Sequence, residues 1–325
     1  MFNMKRLGVV LAIVIALVLA ACGGDDNNNN NNNDNNDNNN NTEVNNNDNN
    51  NSNDGAAAGE YGEEVNFEIV GIEPGAGVVK AAEQTVEDYE NMEGWEVVTS
   101  SSGAMATALG EAIENEEPII VTGWSPHWKF EAYDLKYLED PKGVFGEAET
   151  IETMAREGLE EDLPNAFKML EQFEWPTEDM EAVMLEISEG ASPEEAAADY
   201  VADNADKVDE WTDGVEESDG EEIELVYVEW DTEVASTHVV GEVLSNLGFD
   251  VTLTPLDNAV MWEAIATGQA DAMVAAWLPG THGDLYEEHK DDIVELGVNL
   301  EGAKIGLVVP EYMDIDSIED LAPAN

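Results

Sequence analysis

The sequence predicts an α/β fold built as two lobes. Short β-rich runs alternate with helical patterns along the folded region, the pattern of helices layered on largely parallel sheets. From about Tyr61 the apolar runs are separated by turn residues, over a length sufficient for two lobes of ordinary size. Three tryptophans, Trp124, Trp230 and Trp277, each fall at the carboxyl end of a strand-like run, where open α/β sheets bind ligands.

The chain opens with Lys5 and Arg6, an apolar run from Leu7, and "LAAC" ending at Cys22. This reads as an export signal over residues 1–21 with Cys22 as a lipidation site, the run being short for a spanning helix. The Asn/Asp-rich stretch that follows has almost no apolar side chain to bury, so residues 22–62 are expected to be a disordered tether. Its flexible reach is roughly 35 Å, enough to meet a membrane partner.

Strands are expected at 67–72, 95–100, 118–123, 224–229, 249–254, 270–276 and 304–309. The stretch from Glu149 to Trp211 has no good strand and reads as several helices. Ser192-Pro193-Glu194-Glu195 is a helix start with a capping box, and Gly190 ends the helix before it. The acidic segment from Thr212 to Glu222 is an exposed connector between the halves.

Charge excludes one class of partner. The formal net charge is −63, and nucleic-acid binding needs a basic patch that this composition lacks. A surface so acidic repels itself until salt screens it, which points to a high-salt habitat. With no cysteine beyond Cys22, disulfides and thiolate metal sites play no part. Neither a cofactor nor a metal is expected, and "DIDSIED" at Asp314 to Asp320 lacks the glycine and terminal glutamate of a calcium loop.

Indole faces suit one chemical problem. A quaternary ammonium has no N–H to donate, but aromatic quadrupoles attract its charge while their apolar faces replace water around its methyls, at about 2 kcal/mol per desolvated contact. Trp128 stands second to the three as a flanking candidate, and Trp95, Trp175, Trp211 and Trp262 are expected in cores. The turn "GIEPGAGVV" follows the first strand and opens a helix, so Gly75 and Gly77 allow close backbone approach and the free helix N–H groups favour an anion. It lacks the third glycine of a dinucleotide fingerprint. His282, five residues after Trp277, is either structural or a donor to the same anion.

The segments "PIIVTGWSPHWKF", "YVEWDTEVASTHVVGEVLSNLGFDVTLTPLDNAVMW", "AAWLPGTHGDLY" and "GAKIGLVVPEYMDIDSIEDL" resemble the glycine-betaine-binding lipoproteins of osmoprotectant ABC importers, the OpuAC type. The resemblance runs from about Glu68 to Leu321. It implies a two-lobed type II periplasmic-binding-protein-like fold, a cleft between lobes, a betaine ligand, an ABC permease as partner and attachment to the extracytoplasmic face of the cell membrane through Cys22. It also implies an aromatic box of Trp124, Trp230 and Trp277, with the ligand carboxylate on the backbone of Gly77 and Val78 and on the His282 side chain. The "WDTEVAST" half here follows the "GIEPGAG" half, an exchanged order, so the fold is expected to be circularly permuted with Val65 near Leu321. By this reading residues 63–147 form the lobe with the glycine turn and Trp124. Residues 148–303 hold the helical segment and the lobe with Trp230, Trp277 and His282, and 304–325 a hinge strand and tail.

Other readings are an alternative solute (choline, carnitine, proline betaine or ectoine), a ligand sensor without transport, and an enzyme. The last fails on sequence, because "GWSPH" at Gly123 to His127 lacks the second glycine of a nucleophile elbow.

Overall fold

A computed structural model describes residues 60–324. The export signal, Cys22 and most of the tether lie outside the described residues. Elements run in the order α1 (Glu60–Glu64), β1 (Glu68–Gly71), α2 (Gly77–Asp88), β2 (Glu96–Thr99), α3 (Ser102–Glu114), β3 (Val121–Ser125), α4 (Lys129–Ala132) and β4 (Leu135–Tyr137). A strand, β5 (Glu149–Arg156), then precedes five helices: α5 (Leu159–Asp162), α6 (Pro164–Gln172), α7 (Thr177–Ser188), α8 (Pro193–Asp203) and α9 (Ala205–Trp211). The chain continues through β6 (Glu222–Tyr227), α10 (Asp231–Asn246), β7 (Asp250–Pro255), α11 (Asn258–Ala266), β8 (Ala272–Leu278), α12 (Gly283–His289) and β9 (Ile293–Pro310).

The strands form one sheet in the order β2-β1-β3-β9-β5-β8-β6-β7, with β4 also on β9. Parallel pairs sit at the two flanks, β1 with β2 and β3, and β6 with β7 and β8. Every pairing through the middle is antiparallel, so the expectation of largely parallel sheets holds only at the flanks. The long strand β9 makes the join. Up to Ala303 it pairs with β5, and from Lys304 it pairs with β3. One continuous strand therefore ties the β1–β4 lobe to the β5–β8 lobe.

Two sequence expectations need correction. The stretch after Glu149 opens with β5 rather than a helix. Its residues, Glu-Thr-Ile-Glu-Thr-Met-Ala-Arg, include good helix formers, but ladders on both sides override that local preference. The first part of β9 also lies outside the expected strands, which reach this region only at 304, and it contains Gly297 and Gly302. Both have positive φ (129° and 82°) and sit by register shifts where the strand bulges against β5.

Local signals that rest on side-chain chemistry hold. Ser192 and Glu195 form a reciprocal capping box at the start of α8, and Gly190, with φ 111°, follows the end of α7. Trp95, Trp175, Trp211 and Trp262 are buried, Trp262 completely. In "DIDSIED", Asp320 accepts from the N–H groups of Asp316 and Ser317, so that carboxylate holds a turn.

The two ends of the folded region meet on the β1–β4 lobe. Tyr61 is already packed and its hydroxyl accepts from the Asp314 N–H at 3.0 Å, so the folded part starts slightly before residue 63. Trp95 Nε1 donates to Ala322 O, and Asn91 Nδ2 to Ile318 O and Leu321 O. Among the described residues no helix is long and apolar enough to cross a membrane.

Candidate ligand-binding site

Trp124, Trp230 and Trp277 line one small hollow between the lobes, together with Gly77 and Val78. Ile72, Ala76, Thr281 and Ile305 complete its wall. Strand ends explain the convergence. Trp124 lies one residue from the end of β3, opposite Ile305 of β9. Trp277 lies one residue from the end of β8, and Trp230 is the N-cap of α10 just beyond β6. Each indole thus leaves a sheet at its carboxyl edge.

Hydrogen bonds set two of the three rings by their edges, while Trp124 Nε1 has no partner among the described residues. Trp277 Nε1 donates to Glu233 Oε1 at 2.6 Å, and Trp230 Nε1 donates to Glu73 Oε1 across the cleft. Fixing an indole through its N–H leaves the ring face as its free recognition surface. Lys129 Nζ lies 4.2 Å from the centroid of the Trp124 ring. Burial pulls this lysine down to about 7, with Asp231 acting in the opposite direction.

Glu233 is buried among these groups, also accepting from Thr232 Oγ1 at 2.5 Å, and burial pushes its carboxyl up to about 8. An acid whose folded value exceeds its unfolded value binds more protons when folded. Its contribution to stability is therefore present below about pH 4.5 and is lost as pH rises through about 8. Glu233→Gln, which keeps an acceptor for Trp277 and reverses the bond to Thr232 by offering its NH2 to that hydroxyl, is expected to gain stability relative to wild type between about pH 5 and about pH 8. Melting curves of both proteins at the two pH values check this, and a constant difference would refute it.

The opposite end of the hollow suits an anion. Helix α2 has no side-chain cap at Ala76. The N–H groups of Val79 and Lys80 turn back to Ala76 O, while those of Gly77 and Val78 stand in the first turn without intrahelical acceptors. Facing them is the turn after β8, held by Glu149 of β5. Its Oε1 accepts from the Gly280 and Thr281 N–H groups at 2.7 Å, and its Oε2 from Thr281 Oγ1 at 2.5 Å. The lobes touch at this point so closely that a Cβ on Gly77 would lie 2.7 Å from Thr281 Cα.

His282 sits behind the wall and is not among the residues lining the hollow. It is fully buried, its ring stacked on Trp230 at 5.7 Å and 6°. Nδ1 accepts from the Trp277 N–H at 2.9 Å, which leaves the proton on Nε2, and Nε2 has no partner among the described residues. Burial, then the charge of Lys80, pulls His282 down to about 3. At neutral pH it is a neutral imidazole with one free donor.

The decisive likeness is to a family of binding domains. The family described as the substrate binding domain of an ABC-type glycine betaine transport system matches residues 46–203 and 221–325. The chain belongs to the OpuAC family. Among relatives, this OpuAC-family chain is 50% identical to the glycine betaine/carnitine transport binding protein GbuC of Listeria monocytogenes over 264 residues, 81% of the chain and 88% of GbuC. It is 49% identical to lactococcal OpuAC, solved closed and complexed with glycine betaine, covering 46% of this chain and 59% of that one with a TM-score of 0.42. A choline binding protein solved with choline is 26% identical, covering 58% and 62%, with a TM-score of 0.44. The chain thus spans about six tenths of these two solved structures.

Two features of this OpuAC-family site separate it from a hydrolase. Ser125 Oγ is bonded to the Tyr137 hydroxyl at 2.8 Å, and His127 Nδ1 accepts from the Lys129 N–H at 3.2 Å. Neither serves the other as nucleophile and base. Trp128 is half-buried and lines no part of the hollow; its Nε1 donates to Asp231 Oδ1 at 2.8 Å.

Sequence reasoning missed Glu73, Glu149, Glu233, Thr281 and Ile305. In a chain with 74 acidic residues, three more carboxylates stand out by no local signal. Glu233 had one clue: it lies in "DTEVASTHVVG", a stretch without lysine or arginine that α10 buries on nearly every side. Thr281 lies between Gly280 and His282, and backbone contact with Gly77 is invisible in a residue string.

Proposed function

We propose that this protein captures glycine betaine outside the cytoplasm and delivers it to the permease of an ABC importer. The observation that carries the reading is the meeting of three indoles and an uncapped helix start around one small hollow. The trimethylammonium lies among the faces of Trp124, Trp230 and Trp277, where cation–π attraction and methyl burial act together. The carboxylate accepts from the Gly77 and Val78 N–H groups, with the helix N-terminus adding positive potential; His282 lies outside the lining, so its free Nε2 donor joins them only if the ring edge turns into the hollow on binding. Relatives named for glycine betaine and carnitine support this ligand class.

Lipidation of Cys22 and the Asn/Asp-rich tether hold the domain at the membrane surface in this reading, within reach of its permease. The ligand bridges the lobes, the junction of Ala303 and Lys304 in β9 serves as the hinge, and the exchanged order of halves is part of the proposal. The acidic surface suits operation in concentrated salt.

Choline is the discriminating competitor because it has the same cation and no carboxylate. In calorimetry, glycine betaine is expected to bind more tightly than choline. His282→Ala is expected to weaken glycine betaine by about tenfold more than choline, because both ligands lose the ring behind Trp230 and the acceptor of the Trp277 N–H, while only glycine betaine loses a charge-assisted hydrogen bond. Choline binding more tightly than glycine betaine would overturn the assignment of the carboxylate donors.

A further inference from the structure

The segment "SPHW", which begins at the last residue of β3, lines no part of the hollow, yet it reaches across the cleft. Asp231, the first residue of α10 and next to Trp230, lies on the β5–β8 lobe. Its donors come from the other lobe. Trp128 Nε1 donates to Oδ1 at 2.8 Å, and Ser102 Oγ, from the first turn of α3, donates to Oδ2 at 2.8 Å. His127 Nε2 stands 3.5 Å from Oδ2. The His127 ring packs edge-on against Trp124 at 4.7 Å between centroids. This cluster therefore joins the backs of two walls, Trp124 and Trp230, without touching the space a ligand fills.

We propose that Asp231 is an interlobe latch, a positioning residue that holds the lobes shut through Trp128 and Ser102 once the hollow is occupied. Each bond requires both lobes, so it forms only on closure. Hydrogen bonds from two neutral donors to a carboxylate are stronger than those between neutral groups. The charge of the carboxylate also suits the first turn of α10, so it is tolerated when the lobes part. The latch deepens the binding function proposed above and rests on it for the identity of the ligand, although its bonds depend on closure alone.

The test uses Trp128→Phe, Ser102→Ala and Asp231→Asn, with dyes on cysteines introduced at exposed Val98 and Val260 in a Cys22→Ser background to report lobe distance. Trp128→Phe and Asp231→Asn are each expected to weaken glycine betaine by about tenfold and to raise the open fraction at saturating ligand. The melting temperature of the ligand-free protein should stay unchanged, because an open protein has no latch to lose. Combining the two substitutions should cost no more than the worse single one. Additive losses, or wild-type affinity and closure in Trp128→Phe and Ser102→Ala, would overturn the latch. If wild type binds no glycine betaine, the ligand reading fails, and the latch is then judged on the ligand-free closed fraction: a decrease in Trp128→Phe supports it and no change overturns it.

Discussion

Gly77→Ala is expected to weaken glycine betaine binding by about a hundredfold or more while leaving the ligand-free protein as stable as wild type. The added Cβ would lie 2.7 Å from both Thr281 Cα and Thr281 O, closer than van der Waals contact allows. Thr281 has no easy way to yield, since Glu149 holds its N–H and its hydroxyl. Nothing about the open form opposes the change. Residue 77 opens a helix, and alanine is a better helix former than glycine. A methyl group is thus expected to act as a wedge in the hinge motion. Calorimetry paired with ligand-free melting checks this, and wild-type affinity in Gly77→Ala would mean that closure does not bring these two segments together.

Trp230→Ala carries the second large effect, an affinity loss of at least about thirtyfold from one desolvated cation–π contact of about 2 kcal/mol. More than a wall disappears. Glu73 loses the N–H that reaches it across the cleft, and His282 loses the ring it stacks on. The change Trp230→Phe helps to separate these contributions, because it keeps an aromatic face, though a smaller one, and removes the indole N–H. Binding by Trp230→Phe should fall between wild type and Trp230→Ala. Equal losses in both variants, read by titration calorimetry, would shift the credit from the ring face to the bond with Glu73.

The parts of this site legible in the sequence are those governed by short-range rules. A tryptophan after a β-rich run reaches the carboxyl edge of a sheet because strand direction places it there. A glycine turn opening an uncapped helix exposes N–H groups whatever packs around it. Capping at Ser192 and the break at Gly190 follow the same logic. Long-range pairing hid the remainder. Strand β5 exists because β8 and β9 flank it, and its own residues favour a helix. The contact of Gly77 with Thr281 joins segments about two hundred residues apart in the chain, and the roles of Glu73, Glu149, Glu233 and Asp231 are set by partners on other elements. Acidity itself masked them, since functional carboxylates are inconspicuous among so many that only face solvent. His282 was legible as a candidate, but its place behind Trp230, with Nδ1 spent on the Trp277 N–H, comes from the fold.

The central claim is that positive charge, together with methyl shape, is what the three indoles recognise. Comparing glycine betaine with its neutral-headed carbon isostere 3,3-dimethylbutanoate by calorimetry tests it most directly, because size, methyl surface and carboxylate are all retained. With three contacts at about 2 kcal/mol each, the isostere is expected to bind at least about a hundredfold more weakly. Matching affinities for the two compounds would contradict the account and leave only an apolar hollow with an anion site at one end.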